Sequence, residues 1–227
     1  MINWFWEELG QIIWLFHEQI YLGFAGKYLY FYRKNIMKSF SQITRIDLLK
    51  QFGVNIVGDN FLPTIEPISV PSWLEHVISS NRNNLTTMRN EKSISEALIA
   101  PILMAVQEIF KDSITVFSGE PLITDELSGV CDFLITKDPI AFDPQGGYFI
   151  LVEAKKNDLL SGIPQCVAEM YAARILNNND DIVYGCVSTG LEWLFIKLEG
   201  RTATTDPNVF TISEVGKILG VFGWLVR

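Results

Sequence analysis

The sequence predicts an α/β domain built around one mixed sheet, and three observations lead there. Hydrophobic residues make up 48% of the 227 positions and charged residues 19%, enough apolar material for a full core and too little charge for a disordered chain. Past Phe110 the apolar period changes from 3.6 to 2. Strand-like runs then alternate with helical ones, the pattern of helices packed on a sheet. The length lies within what one α/β domain can fill.

Residues 1–40 stand apart. Twelve aromatic residues fall in these forty positions, against 12% aromatic content in the whole chain. Apolar residues would surround a helix on all sides, so a helical extension is expected here. A basic start and a small-residue cleavage site, the marks of a signal peptide, are both missing. As a membrane-spanning helix the run 9–26 is poor, because His17-Glu18 interrupts it near the middle and a charge there costs ~3 kcal/mol. An interfacial anchor with Lys27, Arg33, Lys34 and Lys38 as its basic flank is one reading. Packing on the main domain or on a second copy, or an origin upstream of a natural start at Met37, is favoured over membrane contact.

Residues 41–92 form a lead-in. A short helix over 41–52 is capped by Ser41, carries Ile43, Ile46, Leu49 and Phe52 as its stripe, and is closed by Gly53. Pro63, Pro67 and Pro71 make a connector. A second helix opens at Ser72 with Trp73, Leu74, Val77 and Ile78, and a polar loop spans 79–84.

Residues 93–227 form the core. A helix over 93–110 presents Ile94, Ala97, Leu98, Ile102, Ala105, Val106 and Ile109, with Pro101 bending or splitting it. Strands follow at 113–117, 130–136 and 148–155, the last two joined through a loop over 139–147. A helix over 163–176 turns Val167, Met170, Tyr171 and Ile175 inward. Strands at 182–188 and 193–198 and a helix at 213–225 complete the order α-β-β-β-α-β-β-α.

Charge and rare residues then remove whole classes of chemistry. A net charge of −8 and a pI near 4.8 exclude a protein that coats nucleic acid by bulk electrostatics. Cys131, Cys166 and Cys186 are odd in number and widely spaced, which excludes a disulfide framework and a zinc knuckle; buried thiols in a reducing, cytoplasmic setting are expected. His17 and His76, the two histidines, fit neither a catalytic triad nor a zinc hydrolase. No glycine-rich phosphate loop is present. Chemistry is left to carboxylates, amines and amides.

Ionised residues interrupt the strands where apolar ones belong. Asp132 breaks the run VCDFLI, and Glu153 and Lys155 end YFILVEAK on one face of their strand. Burying such groups is costly unless they are paired or metal-bound. Alone, a Glu-x-Lys pair at a strand end is most often a solvated salt bridge. Its neighbours change the weighting: Glu96 precedes on a helix, and Gln165 follows on the next helix with Glu169 one turn further along the same face.

With these residues the sequence resembles the PD-(D/E)xK nuclease superfamily, of restriction-endonuclease-like fold. The matching segments are SEALIAPIL with Glu96, SGVCDFLI with Asp132, ILVEAKK with Glu153 and Lys155, and GIPQCVAEMYAA with Gln165. Cys131 stands where the family name places proline. The resemblance implies an α-β-β-β-α-β core and hydrolysis of DNA phosphodiester bonds. It implies that Asp132, Glu153, the Ala154 carbonyl and Glu96 hold Mg²⁺, with Mn²⁺ as a substitute. Lys155 and Gln165 then act on the attacking water or the phosphate. A bound cation reverses the sign of the site, so an acidic protein can meet DNA there. Tyr171 and Arg174 are further candidate DNA contacts, and a homodimer is a possible assembly. A silent nuclease-fold module that binds without cleaving is the alternative.

Overall fold

A computed structural model describes residues 37–82, 88, 90–139, 147–178 and 181–227 in full, and 12–14, 20–25 and 28–33 by their backbone. The chain divides into two units, Met1–Met37 and Lys38–Arg227.

In the first unit the expected helix is replaced by an antiparallel sheet of β1 (Ile12–Trp14), β2 (Ile20–Ala25) and β3 (Tyr28–Arg33). Tyr21 pairs with Tyr32, and Ala25 with Tyr28. An all-round apolar segment satisfies a helix or a strand by hydrophobicity alone. Aromatic and branched side chains favour the pleated surface, and here that preference decides. His17 and Glu18, the interruption of the supposed span, lie outside the described residues. Among the described residues no helix is long and apolar enough to cross a membrane.

The second unit opens with β4 (Lys38–Ser39), a short 3₁₀ turn, α1 (Arg45–Phe52) and β5 (Asn55–Gly58). The cap of α1 is Thr44 rather than Ser41. Thr44 Oγ1 accepts the Asp47 N–H at 3.2 Å, and the Asp47 carboxylate accepts the Thr44 N–H at 3.0 Å, a capping box. Gly53 closes the helix at φ 66°, as expected. A connector leads to α2 (Ser72–Arg82), then α3 (Glu91–Ile94), a π turn (Ser95–Ile99) and α4 (Ala100–Ile109). The helix expected over 93–110 is thus split. The wide turn sets Pro101 in the first turn of α4, where its missing N–H costs little.

The strands that follow are β6 (Thr115–Ile123), β7 (Leu127–Thr136) and β8 (Tyr148–Ala154). Then come α5 (Leu159–Asn177), β9 (Val183–Ser188), β10 (Glu192–Glu199), β11 (Thr202–Thr211) and α6 (Val215–Val226). The sheet order is β4-β7-β8-β9-β10-β11-β5, with β6 also on β7. It is mixed: β8 and β9 run parallel, as do β4 with β7 and β5 with β11. All seven residues of β8 are buried. Leu151 packs in a core with Cys166, Val167 and Met170 of α5, while Ile150 and Val152 pack with Leu98, Ile102 and Phe222 on the other face. Both faces of the sheet are covered by helices, which is why β8 reads as a continuous apolar run.

β5 and β11 escape a reading of the sequence. β11 contains Asp206-Pro207, a turn signal, but these residues lie opposite a β-bulge between Leu194 and Ile196, where a proline does not break the ladder. Asp206 is 1% exposed and accepts the N–H groups of Phe61, Leu62 and Asn208, which hold its carboxyl below the usual range against the effect of burial. All three cysteines are free and buried. Ile175, expected inward, is 45% exposed.

Candidate active site

β7 forks, and the fork positions the site. Along one side β7 pairs with β6 from Ser128 to Thr136. Along the other it pairs with β4 at Leu127 and Ser128 and with β8 from Phe133 onward. Continuing the β7–β8 register one step would set Asp132 opposite Glu153. There β8 instead stays with β9, Glu153 beside Val187 and Ala154 beside Ser188. The Ala154 N–H donates to Asp132 Oδ2 at 2.8 Å, so a side chain replaces the lost ladder bond. Asp132 is drawn to the fork because an unpaired N–H would otherwise be buried there.

From Glu153 a closed group of side chains runs to α5. Glu153 is 3% exposed at its side chain and accepts from Lys155 Nζ at 2.6 Å. Lys155 Nζ also donates to Gln165 Oε1 at 3.1 Å, and Gln165 Nε2 donates to Glu169 Oε1 at 3.2 Å. Glu169 is fully buried. The charge of Glu153 reaches it. As two carboxylates, Glu153 Oε2 and Glu169 Oε2 would both lack a donor. A proton on Glu169 would leave one buried charge in place of two.

The electrostatics agree. Burial and then the Glu153 charge push the Glu169 carboxyl well above the ordinary carboxylate range. Burial and the Asp132 charge push Glu153 up to about 7, against the pull of Lys155. Asp132 is raised by burial, with partial relief from the Ala154 N–H. Burial works against the Lys155 ammonium, but the Glu153 hydrogen bond and charge outweigh it and raise its pKa.

Asp132, Glu153, Lys155 and Gln165 are therefore brought together, with Ala154 engaged through its N–H. Glu96 is not joined to them: its side chain is 69% exposed and lies 3.8 Å from Lys92. The π turn explains this, since one extra residue rotates a helix by about 100° against regular spacing. The charge that reaches Asp132 and Lys155 from this segment belongs to Glu91, on α3, which packs on β8. Sequence reasoning missed Glu91 by starting the helix at Ser93. The signal was Asn90, whose side chain accepts the Ser93 N–H at 2.8 Å in a capping box that makes Glu91 the first helical residue.

Gly162 was missed as well. A Cβ there would lie 2.6 Å from Val187 Cγ1 and 2.9 Å from Lys155 Cγ, so only glycine lets α5 close over the lysine stem. Tyr171 and Arg174 are engaged within the unit instead: Arg201 donates to the Tyr171 hydroxyl, and Arg174 donates to the Gly200 carbonyl.

Among the described residues no three His, Cys, Asp or Glu side chains form a ready-made metal shell. The chemistry of the donors nevertheless suits a hard cation. Asp132 Oδ1 makes no hydrogen bond among the described residues, and the Glu153 carboxylate is buried against a displaceable ammonium. No protein-family model matches the chain, and no curated protein matches it.

Proposed function

We propose that the chain is a divalent-metal-dependent deoxyribonuclease of the PD-(D/E)xK type. The observation that carries this reading is the fork, where Asp132, Glu153 and Lys155 gather at the end of β8. Burying charged groups together costs on the order of several kcal/mol per ion, and a purely structural strand end has no need of it. Asp132 and Glu153 would hold Mg²⁺ or Mn²⁺, with the Ala154 carbonyl as a further oxygen. When bound, the ion supplies an acidified water and polarises the phosphate.

The chain's own residues have distinct parts. Lys155 enters as an ammonium, so it donates to the phosphate oxygens and stabilises their growing charge. Gln165 also accepts from Lys155, which would keep a hold on the ammonium when Glu153 turns to a cation. Glu169 stays neutral and spares Glu153 a second buried charge. Purified protein with plasmid or single-stranded DNA in Mg²⁺, Mn²⁺ or EDTA tests the reading; cleavage in metal and none in EDTA is expected.

A silent nuclease-fold module is the second reading, favoured by Glu96 standing apart from Asp132 and Glu153. DNA binding without cleavage in any metal selects it.

A further inference from the structure

Glu169 stands where packing alone calls for an apolar residue. It is fully buried on α5, whose Cys166, Val167, Met170 and Ala173 all belong to the core. A carboxyl group in such surroundings costs free energy, and exchanging a buried ionisable group for an apolar one of similar size is often neutral or stabilising. Asp206, by comparison, is buried in order to clamp the N–H groups of Phe61, Leu62 and Asn208. Glu169 clamps no backbone group among the described residues. Its partner there is a side chain: Gln165 Nε2, one helical turn back, donates to Glu169 Oε1 at 3.2 Å.

That contact bears on which way the Gln165 amide faces. A primary amide carries an acceptor on one side and a donor on the other, whereas an ammonium only donates. Lys155 Nζ donates to Gln165 Oε1 at 3.1 Å. With Oε1 toward Lys155 and Nε2 toward Glu169, both ends of the amide are satisfied. Turned over, it would set its own N–H groups against the ammonium.

Other restraints act on the same lysine. Lys155 Nζ lies 2.6 Å from Glu153 Oε1. At Gly162 a Cβ would lie 2.9 Å from Lys155 Cγ and 3.2 Å from its Cε, so α5 closes over the stem. Of the two oxygens that hold the ammonium, Glu153 Oε1 is the one a divalent cation would take. The other belongs to Gln165, and the anchor of Gln165 is Glu169.

We propose that Glu169 is a positioning residue, which fixes the Gln165 amide with its oxygen toward Lys155 and so aims the ammonium from a second direction. It acts through Gln165 and touches neither cation nor phosphate. The proposal rests on the nuclease reading for its consequence in catalysis, while the aiming of Lys155 belongs to the metal-free chain.

The test is NMR of the full chain without metal, with isotope-labelled lysine. The signal of the Lys155 ammonium, assigned by its loss in Lys155→Met, reports how fast its protons exchange with water. Glu169→Leu and Gln165→Leu should each speed that exchange about tenfold, as for a lost hydrogen bond to a charged group. Glu169→Gln keeps an acceptor for Gln165 and should stay within about twofold of wild type. The double variant Gln165→Leu/Glu169→Leu should exchange no faster than either single one, because the two residues act in series. Unchanged exchange in Glu169→Leu overturns the proposal. So does a further increase in the double variant, which would mean that Glu169 acts by another route, such as Glu153. Glu169→Met is a second apolar variant, and melting curves show which of the two is folded and is to be read.

A Mg²⁺ cleavage assay separates this proposal from the nuclease reading. Glu169→Leu should lower kcat about tenfold at unchanged KM, and Glu169→Gln should keep it within about twofold. A cleaving Glu169→Leu protein with normal kcat overturns the positioning role. A wild-type chain that does not cleave sinks the nuclease reading alone, and proton exchange then decides whether Glu169 aims Lys155.

Discussion

Lys155 Nζ lies 2.6 Å from Glu153 Oε1, two residues back on the same strand face. The ammonium therefore occupies an oxygen that a divalent cation would use, and is itself steadied by Gln165. On the proposed nuclease reading, protein and metal would compete for Glu153, and the outcome would decide whether Lys155 is free to meet a phosphate.

Lys155→Ala removes the competitor and the donor together. Mg²⁺ affinity, measured calorimetrically, should be unchanged or improved, because a like charge has gone. Cleavage should fall about a hundredfold or more, the ~3 kcal/mol of a lost transition-state donor. Asp132→Ala should instead abolish both metal binding and cleavage. A fully active Lys155→Ala protein would sink the catalytic assignment.

Glu96 stands apart from the fork, while the charge of Glu91 reaches Asp132 and Lys155. Glu96→Ala should leave cleavage within about twofold of wild type and stability within ~0.5 kcal/mol, as for an ordinary surface position. Glu91→Gln should weaken Mg²⁺ binding by about fivefold, from ~1 kcal/mol of lost charge attraction across a partly solvated gap. A loss of cleavage confined to Glu96→Ala would show that the π turn does not hold Glu96 away.

Stability should fall as pH rises. Glu153 and Glu169 both have folded-state pKa values above the unfolded value of 4.5, so the folded state keeps protons that the unfolded state releases. Their contribution is complete below that value and is lost as pH rises through about 7 and above. The depressed Asp47 and Asp206 act in the other direction and only in acid. Melting temperature of metal-free protein should drop from about pH 5 to about pH 8. Glu169→Gln keeps an acceptor for Gln165 and should flatten that slope; an unchanged slope would show that Glu169 does not keep its proton in the folded state.

Gly162→Ala tests the closeness of α5 to Lys155. The added methyl should cost ~1–3 kcal/mol by overpacking. If Lys155 is also shifted, kcat should fall by up to about a hundredfold with little change in KM. A destabilised protein with normal kcat would make Gly162 a packing residue only.

Strand period and its interruptions lie in short windows of sequence, so β7, β8 and the polar positions Asp132, Glu153 and Lys155 are legible there. The same holds for the buried cysteines and the Gly53 stop. A window carries alternation and turn chemistry, and these depend on neighbours a few residues away. It does not carry depth or partnership. Glu169 looks like one more polar helix position until the packing of α5 on β8 and β9 buries it completely.

The other outcomes were decided by contacts distant in the chain. Asp206 clamps backbone groups about 145 positions earlier, in the middle of β11 where the sequence carries a turn signal. Glu96 stays exposed within the π turn, whose spacing no 3.6-residue template contains. Residues 20–25 and 28–33 satisfy a helix or a strand by hydrophobicity alone, and they are paired as antiparallel strands. Hydrophobicity states only that a side chain should leave water; which partner receives it is settled by sheet register and helix closure, and those involve the whole chain.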